Sequence, residues 1–352
     1  MAGNCLISSA NVREWVKGCA VGAGSFGIVN LAMNKFTGEL FAVKSALSGP
    51  GLQSLENEAD ILEDLDSPFV IQCLGREFSN ESNGEQRLNL FMEFMAGGSL
   101  SDVAEKFGGA LDESVIRLYT REILEGLKYV HKNSIVHGDL KCKNLLVGSS
   151  GNIKLADFGC SKRISSSKND AGSKFSWQSI CGTPLWTSPE VLRNEGLSFA
   201  SDIWSLGCTI IEMATGRPPW GDKISNPMAA VFKIACSNEV PQFPTKFSNE
   251  GLDFLAKCFQ RDPTKRWTSA ELLNHPFVLR NLRKEDVNSP VSILDVGLYE
   301  SDYDDSDELA KVIEEKHRSK FPSLKRQRSR KGRKCRDNDW ASSENWITVR
   351  SG

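Results

Sequence analysis

Apolar positions along the first third of the chain alternate with polar ones, and the period then changes. Residues 29–33 and 40–44 read as two strands joined by a turn over 34–38. From residue 52 the spacing lengthens: Leu55, Ala59, Leu62 and Leu65 predict a helix over 52–65. Residues 88–93 form a short apolar strand that stops at the Gly97-Gly98 pair. A long helix is predicted over 112–132, with Ile116, Tyr119, Ile123, Leu127 and Val130 on one face. Residues 203–214 are mostly apolar, as expected of a helix buried through the middle of a domain. A β-rich start and a helix-rich remainder imply two unequal lobes meeting around residues 93–98, and the apolar period ends near 279–282.

Length and charge refine this outline. A usual domain size of roughly 150 residues would divide 352 residues into about two units. The net charge of −2, from 43 Lys+Arg against 45 Asp+Glu, gives no case for nucleic acid or a membrane surface. Near the C-terminus the average misleads. Asp295, Glu300, Asp302, Asp304, Asp305, Asp307 and Glu308 form an acidic block, and a basic block runs from Lys325 to Arg336. Neither has a core-forming period, so we expect a folded domain over 14–280, a short extension over 1–13 and a disordered tail over 281–352. The basic block is compatible with nuclear import, with an acidic partner, or with plain solvated charge.

No run approaches the roughly 20 apolar residues of a membrane span. Ala2, not glycine, follows Met1, which argues against myristoylation. The ten cysteines include no C-x-x-C pair and the four histidines have no metal-ligand spacing. We therefore expect reduced thiols, in a cytoplasmic and possible nuclear setting.

The chemistry is concentrated in a few motifs. Gly22-Ala-Gly24-Ser-Phe-Gly27-Ile-Val29 is a G-x-G-x-x-G-x-V run. A dinucleotide fold uses the same glycines between a strand and a helix. Here Val29 belongs to a second strand, which suits a strand–turn–strand lid over phosphates. Lys44 ends the strand Phe41-Ala42-Val43-Lys44, and a glutamate on the following helix could hold it. Glu58 is the best-placed partner because it opens the core-facing stripe; Glu56 and Glu63 are the alternatives. His137-Gly138-Asp139-Leu140-Lys141-Cys142-Lys143-Asn144 and Asp157-Phe158-Gly159 supply what phosphoryl transfer needs: a carboxylate for the attacking hydroxyl, a cation, and oxygen ligands for magnesium.

In these residues the chain resembles the eukaryotic protein kinases over about residues 15–280. The resemblance implies an α+β bilobal fold, with a β-rich N-lobe over about 14–94 and a helical C-lobe over about 98–280. It continues in Gly182-Thr183-Pro184 and Ser188-Pro189-Glu190, which resemble the end of an activation segment, and in Asp202-Ile203-Trp204-Ser205-Leu206-Gly207, similar to the helix that anchors the catalytic loop. Arg266 resembles the buried arginine that pairs with Glu190.

Lys141 and Thr183 resemble serine/threonine kinases. Met95-Ala-Gly-Gly-Ser-Leu100 and Arg217-Pro-Pro-Trp220 resemble MEKK-like mitogen-activated protein kinase kinase kinases, particularly compact plant forms. ATP and Mg2+ are the implied cofactors, and a mitogen-activated protein kinase kinase is the implied protein substrate. A monomer is expected.

Roles carry over by position. Asp139 would orient and deprotonate the hydroxyl, and Lys141 would steady the γ-phosphate. Asn144 and Asp157 would hold magnesium. Met92 would stand behind adenine, with the Glu93 carbonyl and Met95 amide on its edge. Ala42 and Leu146 would sandwich the ring, below Val21 and Val29. Each of these apolar residues would also serve as ordinary core packing.

Two departures stand out. Gly138 replaces the arginine that usually precedes the catalytic aspartate and meets an activation-loop phosphate, so dependence on that phosphate should be weaker. Thr187-Ser188 departs from the more usual Met-Ala and puts peptide preference in question. Cys160, directly after Gly159, reads as an ordinary reduced cysteine, with a reactive thiol the minor alternative. A non-catalytic pseudokinase scaffold is the main rival reading, with Gly138 in its favour.

Overall fold

The first strands assemble as their alternation predicts. The structure, a computed structural model, describes residues 14–24, 27–47, 49–80, 85–164, 182–221, 227–279 and 347–350. Strands β1 (Glu14–Gly24), β2 (Gly27–Asn34) and β3 (Leu40–Leu47) form an antiparallel meander. Helix α1 (Pro50–Leu62) follows, then β4 (Cys73–Asn80) and β5 (Gln86–Glu93), which complete the sheet order β1-β2-β3-β5-β4.

Register sorts side chains between the two faces of this sheet, because successive residues of a strand point opposite ways. Val43 lies opposite Phe91, and with Trp15, Phe41 and Ala32 they form a small core on one face. Its rings meet edge-on, Trp15 and Phe91 at 5.7 Å and Phe41 and Phe91 at 5.9 Å, the arrangement favoured by the ring quadrupoles. Ala42 opposite Met92, Lys44 opposite Leu90 and Ala46 opposite Leu88 occupy the other face. That face packs on α1, whose Leu55, Ala59 and Leu62 are buried at helical spacing.

The helical part begins after β6 (Gly98–Ser99) with α2 (Leu100–Lys106) and the long α3 (Glu113–Lys132). Ser99 caps α2: its Oγ accepts from the Asp102 amide at 3.2 Å, while Asp102 Oδ2 accepts from the Ser99 amide at 3.0 Å. Short strands β7 (Ile135–Val136), β8 (Leu145–Val147), β9 (Ile153–Leu155) and β10 (Lys162–Arg163) carry the loops between them. Helices α4 (Pro189–Leu192) and α5 (Phe199–Thr215) come next, then α6 (Pro227–Cys236), α7 (Asn249–Cys258), α8 (Ser269–Leu272) and α9 (Pro276–Leu279). As its composition predicts, α5 is buried nearly all round from Ser201 to Ile211, and it ends at Gly216 in the left-handed conformation, φ 65°.

Two buried polar clusters tie the helical part together. Arg266 forks onto Glu190, Nη1 to Oε1 at 2.7 Å and Nη2 to Oε2 at 3.2 Å, over the Trp204 ring. Arg117 donates to the Phe277 carbonyl at 2.9 Å and to Glu113 and Ser248.

The structure departs from the sequence expectation in two places. The apolar period does not show β4, which mixes polar and glycine residues into a strand at the sheet edge, and β1 is implied only by the strand–turn–strand reading of the glycine run. In the tail, where no element is expected, Ile347–Arg350 forms β11 and pairs antiparallel with β1, Glu14 opposite Arg350 and Lys17 opposite Ile347. The acidic and basic blocks and the 1–13 extension lie outside the described residues.

Candidate active site

A cleft of about 510 Å3 opens between the sheet and the helical part. Its roof is the β1–β2 hairpin, with Gly22 opposite Val29 and Gly24 opposite Gly27. The glycine run therefore joins two strands, not a strand and a helix, which removes the dinucleotide alternative. Gly27 must be glycine because a Cβ there would lie 2.6 Å from the Ser45 carbonyl oxygen. Val21, Gly22, Gly27 and Val29 line the cleft from above, and Ala42, Met92 and Met95 line its back and connecting edge. Leu146 lies on the β8 side. Gly24 ends β1, opposite Gly27. Glu93 Oε1 accepts from the Gln72 amide at 2.7 Å and from Lys154 Nζ at 2.5 Å.

Strand register points Lys44 into the cleft on the same face as Ala42. Its Nζ lies 2.5 Å from Glu58 Oε2 and 2.7 Å from Asp157 Oδ1. Helical spacing decides among the candidate glutamates. Glu58 is buried at 1 % exposure, whereas Glu63 is exposed and pairs with Arg76 at 3.2 Å. Burial opposes the Lys44 charge, but the Glu58 and Asp157 carboxylates outweigh it and hold the ammonium above its ordinary range. Burial also opposes ionisation of Asp157, and Lys44 overcomes it, so that carboxyl is held low. For Glu58 burial prevails over Lys44 and its carboxyl is pushed up. The cluster thus keeps a lysine charge and an Asp157 carboxylate ready for a polyanion and a cation.

Asp139 lies deeper, in the loop after β7. Its Oδ1 accepts from the Thr183 amide at 2.9 Å and hydroxyl at 2.8 Å. Its Oδ2 accepts from Lys141 Nζ at 2.7 Å and Asn144 Nδ2 at 2.9 Å. Lys141 also donates to Thr183 Oγ1. Asn144 spends its amide nitrogen on Asp139, which leaves Oδ1 as the atom with lone pairs for a metal. The whole loop hangs on Asp202 of α5: Oδ2 accepts from the His137 amide at 2.9 Å and contacts His131 Nε2 at 2.8 Å, and Oδ1 accepts from the Gly138 amide at 2.9 Å.

The donor set fits magnesium. Asp157 and Asn144 offer hard oxygens from two residues, and Mg2+ keeps several waters and shares phosphate oxygens instead of filling a protein cage. No group of three or more His, Cys, Asp or Glu side chains with metal-ligand geometry occurs among the described residues.

Several residues at the site escape the sequence reading. Ile71 and Ala156 line the cleft, and Ser99, Asp102 and Lys106 line its outer edge. The Ser99-x-x-Asp102 spacing before an apolar run is a capping signal that could have located that edge. Thr183 is visible as a family feature, but its bonds to Asp139 and Lys141 span more than 40 positions and leave no local signal. One expectation is corrected: Cys160 is not a reduced thiol but disulfide-bonded. Cys19, Cys73, Cys142, Cys208, Cys236 and Cys258 are free. Spacing along the chain does not report which sulfurs meet.

A sequence model of the Protein kinase domain matches residues 15–278, three quarters of the chain and all of the site. The chain belongs to the protein kinase family. Among its relatives it is 40 % identical over 297 residues to "Mitogen-activated protein kinase kinase kinase 17" of Arabidopsis thaliana, covering 82 % of this chain and 77 % of that one. It is 41 % identical over 292 residues to "Mitogen-activated protein kinase kinase kinase 2" of Arabidopsis thaliana, covering 80 % and 43 %. To "Mitogen-activated protein kinase kinase kinase A" of Dictyostelium discoideum it is 42 % identical over 283 residues, covering 78 % and 29 %. The match thus spans less than half the length of the last two relatives. The kinase fold and the Lys44–Glu58–Asp157 cluster agree with the bilobal expectation.

Proposed function

We propose that the chain is an ATP- and Mg2+-dependent serine/threonine protein kinase working as a mitogen-activated protein kinase kinase kinase, with a mitogen-activated protein kinase kinase as its protein substrate. The observation that carries the reading is the simultaneous assembly, around one cleft, of the Lys44–Glu58–Asp157 cluster and the Asp139–Lys141–Thr183 cluster. The names of relatives at about 40 % identity support the tier.

Each residue then has a task. Lys44, fixed by Glu58, binds the α- and β-phosphates, and the β1–β2 hairpin covers them with backbone amides. Asp157 Oδ2 and Asn144 Oδ1 would hold magnesium, which supplies charge neutralisation on the phosphate oxygens when bound. Asp139 orients the substrate hydroxyl and accepts its proton, a role worth about 10²–10⁴ in rate. Lys141 reaches from Asp139 toward the γ-phosphate. Thr183 fixes the Asp139 carboxylate through Oδ1.

The cytoplasmic and nuclear site of action remains part of this proposal. No helix among the described residues is long and apolar enough to cross a membrane, and the basic block lies outside them.

Transfer of radiolabelled γ-phosphate to an inactive kinase-kinase substrate tests the reading, with Asp139→Asn and Lys44→Met alongside. Transfer by the unmutated protein and loss in both variants is expected. No transfer would favour a binding scaffold, and equal transfer by all three would overturn the site assignment.

A further inference from the structure

The carboxylate read as the metal ligand sits on strained backbone. Asp157 adopts φ 64°, ψ 71°, a left-handed conformation uncommon for a residue other than glycine, and such a conformation persists only where the surroundings over-determine it. Lys44 holds the side chain from the front. The main chain behind it is held by α1.

Three carbonyls after Asp157 turn toward that helix. Those of Phe158 and Ser161 accept from Asn57 Nδ2 at 3.4 and 3.0 Å, and that of Gly159 accepts from Ser54 Oγ at 3.1 Å. The Phe158 amide donates to Glu58 Oε1 at 3.2 Å. Ser54, Asn57 and Glu58 stand at i, i+3 and i+4, so one helical face carries all three. Glu58 therefore uses one oxygen on Lys44 and the other on the metal loop.

The opposite side of the loop meets the catalytic loop at Gly138. A Cβ there would lie 2.8 Å from the Cys160 carbonyl oxygen, and the residue's φ is +80°. The metal loop packs against bare backbone at this point, where a longer side chain has no room. Ser161 Oγ bonds the His137 carbonyl at 2.8 Å, and main-chain pairing of β10 with β7 follows.

We propose that Asn57 and Ser54 are positioning residues for the metal site. Their neutral donors fix the backbone of residues 158–161, and through it the Asp157 carboxylate, from the N-lobe helix. The inference rests on the reading of Asp157 as the magnesium-holding carboxylate.

The test uses the full chain and a fluorescent ATP analogue titrated with Mg2+, together with KM for MgATP and for a protein substrate. Asn57→Leu keeps the bulk of the side chain and removes both of its bonds. The Mg2+ concentration for half-maximal nucleotide binding should rise about fivefold to tenfold. KM for MgATP should rise with it, while binding without Mg2+ and KM for the protein substrate stay unchanged. Ser54→Ala, a milder change whose fold is checked by its melting temperature, should shift the Mg2+ midpoint about two- to threefold, with recovery in Ser54→Thr.

An unshifted midpoint in both variants overturns the inference. So does equal weakening of nucleotide binding with and without Mg2+, the mark of a merely structural loss. If nucleotide binding by the unmutated protein is indifferent to Mg2+, the reading of Asp157 itself fails, and the positioning role falls with it. Mg2+-sensitive binding without phosphate transfer would count against the kinase activity alone and leave the positioning result standing.

Discussion

Asp139 and Asp157 serve the same cleft, yet the first sits on a loop fixed by the buried Asp202 carboxylate of its own lobe, and the second on a loop fixed from α1 across the cleft. The first support is a buried carboxylate within the same lobe, with both of its oxygens on consecutive backbone amides. The second combines neutral donors, Ser54 and Asn57, with the Glu58 carboxyl, all from a helix that belongs to the other lobe. Placement of the reacting hydroxyl is thus built into the helical core, whereas placement of the metal ligand follows the position of α1.

The strongest way to break this contrast is Asp202→Ala. It leaves the buried His137 amide and the half-buried Gly138 amide unpaired, and a buried unpaired group costs about 1–3 kcal/mol. Urea unfolding should show a loss of several kcal/mol, with activity lost together with the fold. A variant with unchanged stability would mean that the catalytic loop is held elsewhere.

Asp139→Asn should separate the two loops without unfolding either. We expect kcat to fall about 10²–10⁴-fold, with the Mg2+ dependence of nucleotide binding intact. A shifted Mg2+ midpoint would show that the loops are not independently held.

Gly138→Ala probes the point where they meet through bare backbone. Its positive φ and the clash with the Cys160 carbonyl should cost about 1–2 kcal/mol. The melting temperature should drop by a few degrees, with KM for MgATP rising more than KM for the protein substrate. A neutral result would show that the metal loop yields easily at this contact.

The smallest expected effect sharpens the contrast far from the cleft. Burial opposes ionisation of Glu113, but hydrogen bonds from Ser248 and the Arg117 guanidinium outweigh it and hold the carboxyl below its ordinary 4.5. The stability linked to it is therefore present above about pH 4.5 and lost as pH falls through the lowered folded value. Glu113→Gln should flatten the acid limb of the melting-temperature profile and leave the neutral plateau's shape unchanged. A parallel shift at every pH would assign the loss to packing instead.

Much of the site was legible because kinase motifs are local. Asp139, Lys141 and Asn144 lie within six residues of one another, Asp157 opens its own tripeptide, and the glycines follow one another along a hairpin. The Glu58 assignment was a preference among three glutamates until the helix placed one of them inside. The cleft edge at Ser99 and Asp102 could have been found from its capping pattern. β4 was hidden because polar residues and a glycine interrupt its period, and β1 was legible only through the glycine run that follows it; sheet pairing made up for weak local preference. The strand at Ile347–Arg350 depends on pairing across a long stretch of chain, and the disulfide at Cys160 on which sulfurs meet in space; composition and spacing encode neither.

By itself, then, the sequence determined the family, the two-lobed succession of strands and helices, and which side chains carry charge at the cleft. Those are properties of short segments, set by period, turn chemistry and motif spacing. Only the tertiary structure decided how the charges are held: Asp202 under one loop, Asn57 and Ser54 behind the other, and Gly138 bare between them. The reason is geometric, because a hydrogen bond is fixed by a separation of about 3 Å in space, whereas Asn57 and Ser161 are 104 positions apart in the chain.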